Sequence, residues 1–477
     1  MKTQCSLPGF EFQPLKKRKV VAEFSQNQIS SDAGGLLLRE YDLATGLINR
    51  VAKCFKDFRR KDRIEHDVET LLRQRITGIA LGHEDLIDHD TLRFDPLFAT
   101  IANTEDPTGA NRFKKGDRGA ALAGKSTLDR LESATEKMQD GEIYCKFEVD
   151  KQAFEKVFVD HFLEAHANPP AEIILDVDAT DDPLYGKQEG RFFHGYYGHY
   201  CYLPLYIFCG DFLLAAKLRP SNIDGCLGTV EELERIVGQI RQAWPETRII
   251  LRGDSGFARD HIMSWCEDNE VYYILGLAKN ERLKGAMSKQ IERARRKHLW
   301  TRHPARIFHG FTYRTRSSWT RSRFVVGKAE HLEKGPNPRF IVVHLPKNYA
   351  IPRDIYEQHY CARGDMENRI KEQQMALFAD RTSCQMMMEN QLRLWFSSLA
   401  YLLVDGIRRV GLKGTELARA QAWTIRNKLL KIGALVKVSV RRVHIVLSGN
   451  YPYKDLFKRA VYKIQALARG PNVQCGS

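Results

Sequence analysis

Residues 173–178 read Ile173-Ile-Leu-Asp-Val-Asp178, an apolar run that closes on an aspartate. Residues 248–254 repeat this arrangement as Arg248-Ile-Ile-Leu-Arg-Gly-Asp254. Dense runs of β-branched and aliphatic residues predict buried strands. Each of the two aspartates is therefore expected at the end of a strand.

The segments around these runs alternate between strand and helix patterns. Two or three more strands are predicted across 191–200, 203–209 and 212–219, then a helix over 230–243, and after the second run a helix over 259–269 and a strand over 271–277. This order predicts an α/β fold with an RNase H-like catalytic core. In that fold the first and fourth strands are neighbours, which would bring Asp178 and Asp254 side by side.

A third carboxylate lies in the stretch Tyr360-Cys-Ala-Arg363-Gly-Asp-Met-Glu367. On a helix, Tyr360, Arg363 and Glu367 step by three or four residues and share one face. Lys371 and Gln374 continue that stripe. A solvated ladder of ion pairs has the same spacing, worth only ~0.3–0.5 kcal/mol per pair. The two upstream aspartates favour a catalytic site, because three carboxylates can hold a pair of Mg²⁺ ions against a phosphodiester.

Other carboxylates compete for the place of the first ligand. Asp176 lies on the same strand face as Asp178, and Asp181 and Asp182 follow in the predicted turn. We favour Asp178, because a metal ion can reach a strand end. Asp176 would lie deeper in a sheet that is covered on both faces.

The 477-residue chain has a net charge of +15 and a pI of about 9.3, which predicts a polyanionic partner. No apolar run approaches the roughly 20 residues of a membrane span. The start, Met1-Lys-Thr-Gln-Cys-Ser-Leu-Pro8, lacks the apolar core of a signal peptide. Ten cysteines without CxxC pairs suit reduced thiols. These features predict a soluble, cytoplasmic protein that binds nucleic acid.

Basic residues concentrate between Lys289 and Lys328, where twelve lysines and arginines stand against one acid, Glu292. Aromatic residues are interleaved with them, which favours nucleic-acid binding over an ordinary solvated face. We expect four arginines to contact phosphates and two tryptophans to stack on bases: Arg314, Arg316, Arg321, Arg323, Trp300 and Trp319. The alternative for each tryptophan is a place in the segment's own small core.

The spacing of these features predicts the domain organisation. Asp254 and Glu367 are 113 residues apart, too far for one loop, so a basic, β-rich insertion is expected between them. A helix from Asp67 to near Gly82 and a short helix after it fit either a helix-turn-helix reader of DNA ends or an ordinary helical pair. Near the C-terminus we expect helices over 390–407 and 416–432 and a basic strand over 436–447. The predicted regions are a mainly helical DNA-end-binding region (1–165), the core in two parts (166–281 and 336–380), the basic insertion (282–335) and a C-terminal helical region with the basic strand (381–477).

One motif invites a different interpretation. Gly119-Ala-Ala-Leu-Ala-Gly-Lys-Ser126 matches the phosphate-loop pattern G-x₄-G-K-[ST]. Such a loop must follow a buried strand, and residues 111–118 are too polar to form one. We predict a helix start instead, with Ser126 or Thr127 as the N-cap, and no ATP binding.

With two strand-end aspartates and a Y-x₂-R-x₃-E helix, the chain resembles the insertion-sequence DDE transposases. Segments such as Arg252-Gly-Asp-Ser-Gly-Phe257 and Glu367-Asn-Arg-Ile-Lys-Glu372 are similar to the branch numbered thirteen-eighty, and the resemblance runs from about Ser31 to Phe457. It implies that Asp178, Asp254 and Glu367 are the metal ligands and catalytic residues. It also implies that Tyr360 and Arg363 position the substrate or the glutamate.

The chain departs from the family pattern at one position. The broader group often has a lysine seven residues beyond the glutamate, where this sequence has Gln374. Lys371, one helical turn earlier, is the candidate to replace it.

The predicted function is a DNA transposase that binds the ends of its insertion sequence, cleaves phosphodiester bonds and joins the 3′-OH ends to target DNA. It would use two Mg²⁺ ions, for which Mn²⁺ can substitute. The expected partners are double-stranded DNA, as terminal inverted repeats and as target, and further copies of the chain, with no membrane and no ATP. Two alternatives are an RNase H-like metal-dependent nuclease that never joins strands and a DNA-binding protein without catalysis.

Overall fold

The computed structural model describes residues 10–16, 18–22, 28–135, 145–346 and 348–469. Its N-terminal part is mainly helical, with α1 (Leu36–Thr45), α2 (Leu47–Ala52), α3 (Val68–Leu81), α4 (His89–Leu92), α5 (Pro96–Ile101), α6 (Lys125–Glu132) and α7 (Lys151–Glu164). Five short strands accompany these helices: β1 (Phe10–Leu15), β2 (Arg18–Ala22), β3 (Gln28–Ser30), β4 (Phe55–Asp57) and β5 (Phe147–Val149).

Helix α3 is the helix predicted to start at Asp67. The Asp67 side chain accepts a hydrogen bond from the Thr70 N–H, and Gly82 ends the helix in the left-handed region at a φ of 96°. All residues from Leu71 to Leu81 are buried. In a helix-turn-helix unit the second helix enters the major groove, and the first one packs against the protein. The burial of α3 therefore fits the first helix of either arrangement.

Helix α6 begins at Lys125, and its N-cap is Gly124 in place of the predicted Ser126 or Thr127. Between residues 102 and 124 the chain forms no strand. The backbone N–H of Lys125 donates to Asp90 Oδ1 at 2.9 Å. A carboxylate thus occupies the position that a phosphate takes at a phosphate-binding helix start.

The strands from residue 172 to residue 344 are β6 (Glu172–Ala179), β7 (Asp182–Pro183), β8 (Phe192–His194), β9 (His199–Tyr202), β10 (Leu205–Cys209), β11 (Phe212–Lys217), β12 (Arg248–Gly253), β13 (Tyr272–Leu277), β14 (Ala305–Tyr313), β15 (Arg323–Leu332), β16 (Gly335–Pro336) and β17 (Arg339–His344). Strands β7, β9 and β8 form a small sheet of their own. The other nine form the central sheet, in the order β11-β10-β6-β12-β13-β17-β15-β14 with β16 beside β15. Strands β6, β12 and β13 are parallel to one another and the remaining neighbours are antiparallel. The fold is α/β with a mixed central sheet.

The remaining elements are α8 (Thr229–Ala243), α9 (Asp260–Asp268), α10 (Glu281–Ala286), α11 (Ser288–Thr301), α12 (Pro352–Asp354), α13 (Gly364–Leu377), α14 (Met387–Gly406), α15 (Ala422–Ile425), α16 (Lys454–Arg469), β18 (Ala434–Ser439) and β19 (Arg442–Leu447). Within the described residues, none of the helices is long and apolar enough to span a membrane.

Alternate residues of the central strands enter different cores, because successive side chains of a strand point to opposite faces. Leu175 and Leu251 pack in the core that contains residues of α8 and α9. Ile250 packs in a second core with Ile355 and Tyr356, which follow α12. Even-numbered residues of β6 and β12 therefore face the chain segment that leads to Glu367.

Segment 282–335, predicted as a basic, β-rich insertion, forms helices and strands in turn. Helices α10 and α11 come first, and β14 and β15 then extend the central sheet beyond β17. The segment does not form a sheet of its own. Apolar residues on β15 and β17 explain this placement, because Val325 and Val342 share the core beneath the sheet.

The C-terminal part differs from expectation in two respects. The helix predicted over 416–432 is shorter, because only Ala422–Ile425 and the π-helix Arg426–Leu430 are helical there. The predicted basic strand over 436–447 is a hairpin, in which β18 and β19 pair antiparallel and β3 joins β18. The turn falls at Val440 and Arg441, both exposed. All eight cysteines in the described residues are free, as expected for reduced thiols, and Cys5 and Cys475 lie outside those residues.

Candidate active site

Two of the predicted carboxylates lie at adjacent strand ends. Strands β6 and β12 are parallel, and Val177 pairs with Gly253 in their register. The next residue on each strand path is Asp178 and Asp254, respectively. Both are even-numbered and therefore point to the face that carries the segment after α12. The structure thus brings together the two aspartates that sequence spacing had paired.

The third carboxylate joins them through an arginine. Arg363 Nη1 lies 3.2 Å from Asp178 Oδ2, and Arg363 Nη2 lies 2.7 Å from Glu367 Oε1. Burial raises the pKa of Asp178 to about 6; Arg363 lowers it, and the negative charges of Asp254 and Glu367 raise it further. The guanidinium is therefore the positive group that holds two acidic side chains together.

Tyr360 packs against the strand end that carries Asp254. A Cβ added at Gly276 would lie 2.6 Å from the Tyr360 hydroxyl and 3.0 Å from the Asp254 carbonyl carbon. Only a residue without a side chain leaves space for this approach. Burial raises the pKa of Tyr360, and the charge of Asp254 adds to the effect. The arginine of the motif thus contacts Asp178, and the tyrosine of the same helical segment lies near the backbone of Asp254.

That segment is not a regular α-helix. Ile355–Tyr360 is a π-helix and Cys361–Arg363 is a 3₁₀-helix, and α13 begins only at Gly364. Single π turns within helices are frequent at functional sites. The change in helical pitch falls between Tyr360 and Arg363, the two residues expected to position the substrate.

The competing carboxylates all have partners elsewhere. Asp176 forms a two-point ion pair with Arg252, at 2.5 and 2.7 Å, on the neighbouring strand. Asp181 Oδ2 lies 2.8 Å from His199 Nε2. Asp182 is fully buried, and its Oδ1 accepts a hydrogen bond from Gln374. Of these carboxylates, Asp178 is the one that shares a partner, Arg363, with Glu367.

The position that departs from the family pattern has a structural role. Gln374 Nε2 donates to Asp182 Oδ1 at 2.8 Å and to the Asp181 carbonyl at 3.1 Å. Lys371 is exposed on α13, one turn beyond Glu367. A glutamine at 374 therefore ties the glutamate helix to the segment after β6, and Lys371 remains available to a ligand.

The donor set is suited to a hard divalent cation, which prefers carboxylate oxygens. Within the described residues, however, no group of three His, Cys, Asp or Glu side chains is arranged to hold a metal ion. Arg363 lies between Asp178 and Glu367 and supplies the positive charge there. In this structure two of the three carboxylates therefore converge on a guanidinium group.

The structure separates the six residues expected to contact DNA into two groups. Trp319 is 4% exposed and packs edge-on against Tyr313, with ring centroids 5.7 Å apart. Arg323 is buried as well, paired with Asp260 at 2.6 Å and Glu267 at 2.7 Å. Both residues belong to the core, which corrects the expectation that they face DNA.

The other four residues are accessible. Arg321 is half-exposed and lies 3.2 Å from Glu267. Arg314 and Arg316 are exposed, and Trp300 at the end of α11 is 87% exposed. Strands β14 and β15 lie at the edge of the sheet, with β13 and β17 between them and the strand of Asp254. These residues therefore do not adjoin the carboxylates.

Sequence reasoning missed two members of the site. Arg252 donates to Asp176 and also to the His359 carbonyl, so it joins β12 to the residue before Tyr360. Its position two residues before Asp254, on the same strand face, was the available signal. Gly276 had no such signal, because only the packing of Tyr360 shows why a glycine is needed.

The family described as transposase DDE domain group 1 matches residues 12–469 of this chain. The chain therefore belongs to the DDE transposase family: it is an enzyme, a DNA transposase, of a class that generally uses divalent metal ions. No curated protein matches it. Among solved structures, the cryo-EM structure of a piggyBac transposase synaptic complex with hairpin DNA is similar, with a TM-score of 0.38 and 10% identity over 94% of this chain and 86% of that chain.

Proposed function

We propose that this transposase cuts the DNA ends of its own insertion sequence and joins the freed 3′-OH groups to target DNA. The proposal includes a place in the branch numbered thirteen-eighty and an RNase H-like core built on β6, β10, β11, β12 and β13. The observation that carries it is the adjacency of Asp178 and Asp254 at parallel strand ends, with Arg363 joining Asp178 to Glu367.

In this proposal Asp178, Asp254 and Glu367 hold two Mg²⁺ ions, or Mn²⁺ in their place. The bound ions would supply activation of the attacking oxygen and stabilisation of the leaving oxygen in an in-line displacement. Arg363 keeps Asp178 and Glu367 on one centre, through contacts of 3.2 and 2.7 Å. Tyr360 braces the end of β12 and so orients Asp254.

Double-stranded DNA, as terminal repeats and as target, is the proposed partner, and further copies of the chain would assemble on it. The net charge of +15 supports a polyanionic partner. Arg314, Arg316, Arg321 and Trp300 are accessible and are the proposed DNA contacts of the basic segment. Lys371 is proposed to contact a phosphate beside the carboxylates, one helical turn beyond Glu367.

The test compares cleavage with binding. Asp178→Ala, Asp254→Ala and Glu367→Ala should each abolish Mg²⁺-dependent nicking of DNA that carries the repeats flanking the reading frame, and a gel shift on the same DNA should change little. Asp365→Ala is the matched control, since this exposed carboxylate on α13 has no place in the proposed site. A triad variant that nicks at the wild-type rate would remove its residue from the site.

A nuclease that never joins strands has the same carboxylates. The two activities separate in an assay that supplies pre-cut 3′-OH ends and a supercoiled plasmid. Joined products that disappear in Glu367→Ala would establish strand transfer. Nicking of the repeat DNA without any joined product would leave the nuclease as the function.

A further inference from the structure

Residues 185–200, here called the aromatic segment, expose an unusual number of rings. Six of its sixteen residues are aromatic, against 10% in the whole chain. Five of those side chains are exposed: Tyr185 (94%), Tyr196 (87%), Phe193 (57%), Tyr200 (42%) and Phe192 (41%). A contiguous group of exposed rings marks a surface that binds something.

The aromatic segment projects from the end of the sheet that carries Asp178. It leaves β6 through β7 and returns through β9 into β10, and Tyr206 of β10 pairs with Asp178. His199 Nε2 lies 2.8 Å from Asp181 Oδ2. Because His199 pairs with His194 beside the turn, this contact holds the turn end of the β8–β9 hairpin to the residue three beyond Asp178. The rings are therefore held next to the proposed catalytic carboxylates.

At the tip of the hairpin, the ring of Tyr197 is partly buried and the ring of Tyr196 is exposed. The Gly198 N–H donates to the His194 carbonyl at 2.8 Å, and Gly198 takes a φ of +76°, so the turn presents Tyr196 and Tyr197 side by side. Tyr197 is only partly exposed. Burial raises the pKa of its hydroxyl to about 12, and the negative charges of Asp181 and Asp178 add to the effect. Tyr196 stands nearly perpendicular to it, with ring centroids 5.0 Å apart, and faces solvent.

The charged residues of the aromatic segment indicate which kind of ligand it could bind. The segment holds two cations, Lys187 and Arg191, and the Arg191 guanidinium lies over the Tyr200 ring at 3.7 Å. Its one acid, Glu189, accepts a hydrogen bond from the Met387 N–H at 2.9 Å. Exposed rings combined with cations are the composition of surfaces that stack unpaired bases and contact the backbone. In a duplex the base faces are hidden, so rings would gain little there.

We propose that Tyr185, Phe193 and Tyr196 stack on unpaired nucleotides of DNA and hold them next to Asp178. This inference rests on the proposed function, since it takes DNA as the substrate. The sequence suggested that Trp319 stacks on bases, but Trp319 is buried. In this proposal the exposed rings of the aromatic segment have that role. The ligand class is a short single-stranded end or overhang, whatever its sequence.

The experiment measures fluorescence anisotropy in EDTA, where no cleavage occurs. The probes are a 20-base-pair duplex with a five-nucleotide oligo-dT 3′ overhang and the same duplex with blunt ends. Wild-type protein should bind the overhang probe more tightly. Tyr196→Ala and Tyr185→Ala should each reduce the ratio of the two affinities, on the order of tenfold per lost stacking contact. Tyr196→Trp, which keeps an aromatic ring at this position, should keep the affinity ratio near the wild-type value.

Tyr462→Ala is the matched control, because this tyrosine is 71% exposed on α16 and lies outside the aromatic segment. It should leave the affinity ratio at the wild-type value. A ratio near one for wild-type protein, or one unchanged in Tyr196→Ala and Tyr185→Ala, overturns this inference while the transposase proposal stands. Wild-type protein that binds neither probe contradicts DNA binding itself.

Discussion

Gln374 donates a hydrogen bond to Asp182 at 2.8 Å, at the position where the broader family often has a lysine. The acceptor is fully buried, and its second oxygen, Oδ2, has no hydrogen-bond partner within the described structure. Burial raises the pKa of Asp182 to about 8. A neutral amide thus faces a carboxyl group that keeps its proton near neutral pH, whereas a lysine would favour the ionised form.

Stability should therefore depend on pH through Asp182. The pKa of this carboxyl is about 8 in the folded chain against an ordinary 3.8, so its contribution to stability is full below pH 4 and is lost as the pH rises through 8. Asp182→Asn keeps the shape and the acceptor for Gln374 but cannot ionise. Relative to this variant, wild-type protein should lose ~3 kcal/mol between pH 5 and pH 7.5, at about 1.4 kcal/mol per pH unit. Urea unfolding at both pH values measures this, and parallel stability curves would contradict it.

The pair Asp176–Arg252 should matter for stability more than for chemistry. Both side chains are buried, so Arg252→Ala leaves an unpaired charge inside the sheet and should cost ~3–5 kcal/mol. The double variant Asp176→Leu/Arg252→Met should recover most of that loss, because no charge remains buried. Chemical denaturation followed by circular dichroism gives both values. An Arg252→Ala variant as stable as wild type would show that the ion pair is not formed in solution.

The basic segment should contribute to DNA affinity only through its exposed arginines. Replacing Arg314 and Arg316 with Gln should reduce the slope of log affinity against log salt by about 0.9 for each lost phosphate contact on duplex DNA. Arg323→Gln is the matched control: it should leave the slope unchanged and lower the unfolding midpoint, since Arg323 pairs with Asp260 and Glu267. An unchanged slope in the Arg314/Arg316 variant would remove that surface from the DNA-binding site.

ATP should neither bind nor alter cleavage, despite the phosphate-loop pattern at 119–126. The N–H of Lys125 already donates to Asp90. Residues 102–118, which lead into the loop, form no strand. Calorimetric titration of ATP into the full chain should show no heat of binding. ATP hydrolysis that disappears in Lys125→Ala would reverse this conclusion.

The sequence predicted those parts of the fold that depend on local patterns. The apolar runs before Asp178 and Asp254, and the cap at Asp67, are written in neighbouring residues, and the structure has the strands and the helix there.

Long-range contacts explain what the sequence did not show. Trp319 and Arg323 look like surface residues in a basic run, and only the packing against α9, with Asp260 and Glu267 more than fifty residues away, makes them part of the core. The pairing of β15 with β17 is likewise a tertiary choice. The π-helical turn before Arg363 has no distinct local pattern in the sequence. Its residues Ile355 and Tyr356 pack against Ile250 of the central sheet, which is a long-range contact.

The extension of the central sheet by β15 and β14 limits how this enzyme can be engineered. A segment that sits between two proposed catalytic residues in the chain invites removal to make a smaller enzyme or exchange between relatives. Here its excision would strip β17 of its neighbour and expose a row of unpaired backbone groups together with the apolar side chain of Val342. Such an edge recruits other chains. The segment is therefore not a portable module, and a truncated enzyme would need a replacement strand before it could remain monodisperse.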